Sequence, residues 1–340
     1  GSYGLDQCLD LAQTALRRGN DVAAPEGDSW RIGEGMAIAA IATMAPRGHF
    51  STVTVGVDGD GSYHVGVGTA EFGNGTTTVH AQLAAAVLGC APGQVYIHQA
   101  DTDGVGHDTG AFGSAGTTVA GLAVHRAAEL LRDKIIRFAA AKLAVPESRC
   151  VLGPDGVRIG GELLGLVDIA GSAPEPLAAL GRHEGTPRSV AFNVQAFRVG
   201  VHPGTGTVRI LQSIQTADAG VVINPQQCRG QVEGGVAQAI GSALYEEILV
   251  QDGFVSTTAL RNYHIPRLVD LPDTEVYFAD TYDTLGPLGA KSMSESPYNP
   301  VAPALANAIR DAIGVRMHRL PMNAARVWQA INASGAGASS

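Results

Sequence analysis

The order of hairpin, glycine-rich loop and helix occurs twice in this chain, about 150 residues apart, and it constrains the fold most strongly. In the first copy, alternating runs at 52–57 and 63–67 are joined by Asp58-Gly59-Asp60-Gly61, which is typical of a β-hairpin. The second copy has alternating runs at 189–201 and 208–214. Because the repeat is longer than a solenoid unit, it predicts an α+β fold with two related subdomains. Each would combine β-hairpins or a mixed sheet with helices that follow glycine-rich loops.

These patterns divide the 340 residues into four parts. Residues 1–30 are predicted to form a lead-in helix, 31–185 a first subdomain and 186–332 a second subdomain. Residues 333–340, rich in alanine, serine and glycine, are predicted to be a disordered tail. The boundary between the subdomains is placed inside 150–189, because that segment contains prolines and lacks regular periodicity.

Charge and cysteine usage exclude several classes of partner. The 23 Lys and Arg residues are outnumbered by 32 Asp and Glu residues, and no basic run occurs, so nucleic acid and anionic membrane surfaces are poor partners. The longest apolar block, 36–45, is too short to span a bilayer. The four scattered cysteines form no Cys-x-x-Cys pair, which is typical of reduced thiols in a cytoplasmic protein. They are Cys8, Cys90, Cys150 and Cys228.

Four glycine-rich segments are each predicted to run into a helix: 73–78, 113–118, 230–235 and 289–299. The first turn of a helix has unpaired N–H groups and partial positive charge, so several such turns meeting at one point would bind an anion without lysine. A single glycine loop before a helix is usually only a turn. None of these segments matches a nucleotide signature, and 66–71 breaks the dinucleotide fingerprint at its last position.

Glu295 is the candidate catalytic acid or base. It is a lone carboxylate among small residues, between two prolines and before a predicted helix, which would present it to a ligand in a cleft. The alternative is a first-turn acid that complements the helix dipole. The histidines His80, His98, His107 and His125 lack metal-ligand spacing, and ordinary hydrogen-bonded histidines are favoured. The serines lack the Gly-x-Ser-x-Gly elbow of many hydrolases.

Seven segments occur in the order typical of the large subunit of molybdenum hydroxylases, the xanthine dehydrogenase and aldehyde oxidase family. They are Glu71-Phe72-Gly73-Asn74-Gly75-Thr76, Asp101-Thr102-Asp103, Gly113-Ser114-Ala115-Gly116-Thr117, Ile223-Asn224-Pro225, Gly230-Gln231-Val232-Glu233-Gly234-Gly235, Asn262-Tyr263-His264-Ile265-Pro266 and Lys291-Ser292-Met293-Ser294-Glu295. The chain therefore resembles the carboxy-terminal molybdopterin-binding domain of that subunit over nearly its whole length.

The resemblance implies a molybdenum ion held by the dithiolene of molybdopterin, in the cytosine dinucleotide form common in bacteria, so no protein residue is expected as a metal ligand. Glu295 matches the catalytic base of the family, and we expect partial burial of its side chain, which suits a general base. The cofactor-binding residues implied are Phe72, Gly73, Asn74, Gly75, Thr76, Gly113, Ser114, Gly116, Thr117, Gln231, Lys291, Ser292 and Ser294.

The activity implied is hydroxylation of an aldehyde or an N-heterocyclic aromatic carbon with oxygen derived from water. Glu295 would take the proton from the hydroxyl whose oxygen enters the substrate, and the electrons would pass to [2Fe-2S] clusters and FAD on partner chains. The alternative is a non-catalytic scaffold or cofactor-insertion partner with the same fold. The sequence does not identify the substrate.

The chain departs from the family pattern in two motifs and in length. Asn74 stands where the family usually has glutamine, which shortens the reach of the amide. Ser292 and Ser294 stand where the family commonly has glycines beside the base. The family's large subunit is usually more than twice as long as this chain. A second polypeptide is therefore predicted to supply the amino-terminal half of the molybdenum subunit, beside an iron–sulfur subunit and a FAD subunit.

Overall fold

The computed structural model describes residues 1–27, 29–43, 48–185 and 187–336. The helices are α1 (Leu5–Arg18), α2 (Thr76–Leu88), α3 (Gly121–Lys142), α4 (Leu166–Ser172), α5 (Pro225–Leu244), α6 (Leu260–Tyr263), α7 (Val301–Ile313) and α8 (Ala324–Ala336). The strands are β1 (Arg31–Thr43), β2 (Phe50–Val57), β3 (Tyr63–Val67), β4 (Val95–Gln99), β5 (Cys150–Gly153), β6 (Gly156–Ile159), β7 (Glu162–Gly165), β8 (Ala178–Glu184), β9 (Ser189–His202), β10 (Thr207–Ala217), β11 (Val250–Gln251), β12 (Phe254–Val255) and β13 (Thr274–Phe278).

Two four-stranded sheets share one pairing pattern. The first sheet has the order β8-β2-β3-β4 and the second the order β1-β9-β10-β13. In each sheet two antiparallel pairings are followed by one parallel pairing. The helix between the hairpin and the parallel strand is α2 in the first unit and α5 in the second. The predicted α+β class and both predicted hairpins are confirmed.

The edge strand of the second sheet comes from the front of the chain. In the first unit, β8 follows α3 and α4 in sequence and pairs with β2, whereas the equivalent strand beside β9 is β1. Arg31 pairs with Val201, and the antiparallel register continues to Thr43 opposite Ser189. Residues 31–43 therefore lie in the second sheet, although the sequence division placed them in the first subdomain. An alternating pattern identifies a strand but not its distant partner.

Glycines let one helix pack directly on the edge strand of each sheet. A Cβ added at Gly35 in β1 would lie 2.2 Å from the backbone N of Ala308 in α7. A Cβ added at Gly181 in β8 would lie 2.3 Å from the carbonyl oxygen of Ala123 in α3. Because real Cβ atoms do not approach that closely, both helix backbones lie against bare strand backbone. The two units therefore share a packing device as well as a topology.

Substituting alanine for Gly35 is expected to destabilise the chain by about 1–3 kcal/mol, because the added methyl overpacks the contact between β1 and α7. The midpoint of urea unfolding should fall accordingly. Alanine at Gly93, where an added Cβ meets no atom within 4 Å, is the matched control and should leave the midpoint nearly unchanged. Equal midpoints for the two variants would contradict direct backbone packing at Gly35.

Each unit has its own apolar core, and α1 covers the second sheet from behind. The first core lies between the first sheet and helices α2 and α3, and the second lies between the second sheet and helices α5 and α7. On the opposite face of the second sheet, Cys8, Ala12 and Leu16 of α1 pack on Val194 and Ile214. A helix thus lies within the predicted lead-in segment, and it buries a face that would otherwise be exposed.

Two segments differ from the sequence expectations. The region 150–189 is not irregular, because it contains the three-stranded sheet β5-β6-β7, then α4 and β8. Of the predicted disordered tail, residues 333–336 continue helix α8, consistent with the high helix propensity of alanine, and residues 337–340 lie outside the described residues. Among the described residues, no helix has the length and apolar character needed to cross a membrane.

Candidate cofactor and active site

A cavity of about 330 Å³ lies where the two units meet. It is bordered by the loop before α2, the turns before α3, the connection from β10 into α5, and the loop carrying Glu295. The structure therefore brings together the four segments that the sequence singled out. The predicted site residues on its wall are Phe72, Asn74, Thr76, Ser114, Gly116, Thr117, Gln231, Lys291, Ser292, Ser294 and Glu295.

Three predicted cofactor contacts do not border the cavity: Gly73, Gly75 and Gly113. Each has a positive φ, of 100°, 79° and 63° respectively, so these glycines shape the turns that carry their neighbours to the wall. The carbonyl oxygen of Gly73 accepts a hydrogen bond from Nε2 of Gln231 at 3.0 Å, across the two units. Their contribution in this structure is to backbone geometry.

The N–H groups at the start of α2 are already bound within the chain. The carboxylate of Glu71 accepts hydrogen bonds from the N–H groups of Gly73 (2.7 Å), Gly75 (3.0 Å) and Thr77 (3.1 Å). Burial acts to raise the pKa of Glu71, but these backbone donors outweigh it, and the pKa lies below its ordinary value. These three N–H groups of the loop 73–78 are therefore not free for an anionic ligand.

Helix α5 begins earlier than the sequence analysis predicted from the glycine-rich segment 230–235. Its N-cap is Asn224, whose side chain accepts from the N–H of Gln227 at 3.1 Å, and Pro225 occupies the first helical position. The segment 230–235 is therefore inside the helix and is not a loop before it. At Gly235 an added Cβ would lie only 3.2 Å from Cβ of Pro297, so this glycine lets the Glu295 loop approach the helix.

Amide side chains of α5 connect the two units beside the cavity. Nε2 of Gln227 donates to Oγ1 of Thr78 at 3.1 Å, and Nδ2 of Asn224 lies 3.3 Å from Oε1 of Gln82. The Oε1 atom of Gln227 is buried and has no hydrogen-bond partner among the residues that the structure describes, and Gln227 borders the cavity. A buried acceptor in that position fits a ligand that carries a hydrogen-bond donor.

The turns before α3 form the opposite wall. A single π-helical turn, Gly116–Ala120, precedes α3, and such turns are frequent at functional sites. An added Cβ at Gly116 would lie 2.9 Å from Cγ2 of Thr76, so only glycine allows this close approach. Nε2 of His80 lies 3.3 Å from the carbonyl oxygen of Gly116, and burial lowers the pKa of this imidazole. His80 therefore supports the turn as a neutral side chain.

Glu295 lies at the open side of the cavity. Its side chain is exposed, so the expected partial burial is not observed in this chain. Its Oε2 atom accepts a hydrogen bond from the hydroxyl of Ser114 at 3.2 Å. Helix α7 begins only at Val301, which places Glu295 outside its first turn. The alternative that Glu295 complements the dipole of α7 is therefore wrong.

Lys291 borders the cavity with its main chain only. Its side chain is fully buried, and the ammonium donates to Oδ2 of Asp218 at 2.6 Å and to the carbonyl oxygens of Ser2 and Val190, each at 2.8 Å. The ammonium is thus not available to a ligand, and the predicted cofactor contact of Lys291 stays a prediction for its main chain, because the residue borders the cavity. The N–H of Lys291 donates to the carbonyl oxygen of Ala219, which joins the Glu295 loop to the end of β10.

The side chain of Asn74 turns back toward its own helix. Its Oδ1 accepts from the N–H of Thr76 at 3.3 Å and from its hydroxyl at 3.0 Å. The shorter amide thus stabilises the start of α2, as asparagine side chains often do near a helix start. Asn74 still borders the cavity, with the carboxamide NH2 as its remaining donor.

Sequence reasoning missed an apolar part of the wall. The connection from β10 to α5 contributes Val221, Val222 and Ile223, and α5 contributes Cys228. Phe112 borders the opposite side and is 57% exposed. Asn224-Pro225 was the available signal, because an N-cap residue followed by proline places the helix start, and hence the cavity edge, at this connection.

The two related units form a cleft that is lined by hydroxyls, amides and small residues and that has one exposed carboxylate. Such a cleft is typical of a cofactor-binding domain. A family model described as the molybdopterin cofactor-binding domain matches residues 7–272, and the chain belongs to this family. The predicted membership of the xanthine dehydrogenase and aldehyde oxidase family is confirmed.

Named relatives and a solved structure agree. The chain is 34% identical over 314 residues to "Probable hypoxanthine oxidase XdhD" of Escherichia coli K12, covering 88% of this chain and 33% of that protein. It is 30% identical over 356 residues to the xanthine dehydrogenase molybdenum-binding subunit of Escherichia coli O157:H7, covering 98% and 47%. Quinoline 2-oxidoreductase from Pseudomonas putida 86 superposes with a TM-score of 0.81 at 25% identity, covering 96% and 44%. The chain thus spans between a third and half of these relatives.

The donor set of the cavity suits the cofactor of this family. Thr76, Thr117, Ser292, Ser294 and Gln231, which carry hydroxyl or amide groups, border the cavity. Such neutral groups can hydrogen-bond a pterin ring and a phosphate ester. Among the described residues no group of three or more His, Cys, Asp or Glu side chains could hold a metal ion. The neutral donors and acceptors that border the cavity therefore fit the organic part of such a cofactor.

Proposed function

We propose that this chain is the molybdenum-cofactor-binding, base-bearing part of a molybdenum hydroxylase. Its substrate would be an aldehyde or an N-heterocyclic aromatic carbon, hydroxylated with oxygen derived from water. The single observation that carries the proposal is the position of Glu295 on the wall of a cavity whose other residues come from both units. The names of the relatives, which include a hypoxanthine oxidase and a quinoline oxidoreductase, support the substrate class.

In this proposal the protein binds and orients the cofactor through hydrogen bonds from neutral groups. Thr76, Thr117 and Ser292 supply hydroxyls, and Gln231 supplies an amide that also fixes the loop at Gly73. We assign the cofactor as molybdopterin cytosine dinucleotide. When bound, the cofactor supplies the two-electron oxidising centre. Glu295 accepts a proton at its carboxylate, which its exposed position on the wall allows.

A second polypeptide would cover the open side of this cavity. Phe72 at its rim is 73% exposed and Phe112 is 57% exposed, and Glu295 is exposed between the two units. A pocket for a small aromatic or aldehyde substrate normally buries most of the ligand, which this open wall does not do alone. We therefore propose a partner equivalent to the missing half of the relatives, with iron–sulfur and FAD subunits. All four cysteines are free thiols, which supports a cytoplasmic complex.

Purification of the chain through an affinity tag from its native host is expected to recover additional subunits with it. The complex should contain about one molybdenum per copy of this chain and the absorbance of iron–sulfur clusters and flavin. Metal analysis, native mass spectrometry and a panel of aldehydes, purines and pyridines measure these three properties.

The outcomes separate the alternatives. A complex with molybdenum that oxidises a member of the panel supports the hydroxylase. A chain that co-purifies without molybdenum in any preparation, and without turnover, would identify a scaffold. A fully active monomer of the 34.9 kDa chain alone would contradict the proposed partners.

A further inference from the structure

The hydroxyl of Ser114 lies where the first unit meets the candidate base of the second. Ser114 precedes the π-helical turn before α3, and Glu295 belongs to the loop before α7. The hydroxyl donates to Oε2 of Glu295 at 3.2 Å and accepts from the N–H of Glu295 at 3.2 Å. It also accepts from the hydroxyl of Ser294 at 3.0 Å. One oxygen atom thus contacts both the side chain and the main chain of the base.

These three hydrogen bonds use the full capacity of the hydroxyl. A serine hydroxyl has one proton to donate and two lone pairs that accept. Ser114 donates its proton to Glu295 and accepts two bonds from Glu295 and Ser294. The hydroxyl of Ser114 therefore has no further proton to donate to the pterin or its phosphates. The resemblance implied a cofactor contact for Ser114, but the hydrogen bonds indicate a different role.

The backbone at Ser114 adopts a conformation that a residue with a side chain seldom takes. Its φ is 58°, and the preceding Gly113 has φ of 63°. A left-handed conformation at a residue other than glycine is strained and persists only where the surroundings enforce it. Ser114 is 5% exposed, and its hydrogen bonds to the Glu295 loop are such surroundings.

We propose that Ser114 is a positioning residue that orients the carboxylate of Glu295, and this inference rests on the function proposed above. Its hydroxyl holds Oε2, while no described residue donates a hydrogen bond to Oε1. Oε1 is therefore the oxygen that receives the proton from the reacting hydroxyl. The bond to the N–H of Glu295 fixes the loop, so the carboxylate keeps one orientation at the open wall.

The same two loops share a second hydroxyl pair that does not contact Glu295. The Oγ1 atom of Thr118 lies 2.9 Å from Oγ of Ser292, and both side chains are buried. Thr118→Ala removes this contact between the loops and leaves the hydrogen bonds of Ser114 intact. It is the matched control for the Ser114 variants.

The test compares Ser114→Ala with Thr118→Ala in the purified complex. In Ser114→Ala we expect about tenfold faster hydrogen–deuterium exchange in the peptide that contains Glu295, because its N–H loses its acceptor. With a substrate from the panel, kcat should fall about tenfold while KM stays within twofold. Molybdenum content should remain at the wild-type value. Thr118→Ala should leave the exchange of that peptide unchanged.

A second variant keeps the test independent of folding. Ser114→Gly removes the hydroxyl and relieves the left-handed strain, so it should fold and show the same faster exchange and lower kcat. Unchanged exchange in both Ser114 variants, or an equal change in Thr118→Ala, would overturn the inference. Loss of molybdenum with unchanged exchange would also overturn it. If instead Glu295→Gln retains turnover, the proposed function fails while the exchange result still stands.

Discussion

Replacing Glu295 with glutamine is expected to lower kcat by about 10²–10⁴-fold, the usual contribution of a general base. The amide has nearly the same size as the carboxylate but cannot accept the proton. Since Glu295 is exposed and borders the cavity from a loop, the substitution should leave folding and cofactor content unchanged. Steady-state kinetics and metal analysis of the same preparation test both parts.

The matched control for this substitution is Glu162→Gln. Glu162 is an exposed glutamate in β7, remote from the residues that border the cavity, so the same change of charge should have no effect on kcat. A Glu295→Gln complex with full molybdenum content and near-normal kcat would exclude Glu295 as the base. Equal losses in both variants would indicate a general effect of charge.

Replacing Lys291 with methionine is expected to destabilise the chain by about 3–5 kcal/mol, the usual cost of breaking a buried ion pair from one side. Its side chain and those of Asp218 and Asp283 are fully buried, and its ammonium lies 2.6 Å from Asp218 and 4.0 Å from Asp283. Methionine has a similar length but leaves the buried carboxylate of Asp218 without the ammonium that lies 2.6 Å from it. Urea unfolding followed by circular dichroism measures the change.

Two further variants isolate the charge effect. Lys134→Met removes an exposed ammonium that donates to the carbonyl oxygen of Ala178, and it should change stability by less than about 0.5 kcal/mol. Adding Asp218→Asn to Lys291→Met should restore part of the lost stability, because one buried charge disappears. A Lys291→Met chain as stable as wild type would show that this cluster carries little of the folding energy.

Local patterns predicted the local structure. Alternation at β2, β3, β9 and β10 identified both hairpins, because side chains of a half-buried strand alternate between its faces. The turn residues identified the connection at 58–61 for the same kind of local reason. Five of the seven segments that carry the resemblance contribute residues to one cavity, whereas 101–103 and 262–266 do not border it.

Features that depend on distant contacts were not predictable in the same way. The orientation of the Lys291 ammonium is set mainly by Asp218, which is 73 residues away in sequence. Glu71 binds the start of α2 through local contacts, but no pattern marked it as a substitute for an external anion. The start of α5 is the exception, because Asn224-Pro225 was a local signal that the glycines after it obscured.

The origin of β1 at the front of the chain has a consequence for biosynthesis. A ribosome makes residues 31–43 long before residues 189–202, and β9 is the only described strand with which β1 pairs. During that interval β1 has an open hydrogen-bonding edge, which exposes a nascent chain to pairing with other molecules. The first unit can complete its sheet before β9 is made, whereas β1 must wait for β9. A break between β8 and β9 would leave β1 in the fragment that lacks the rest of its sheet.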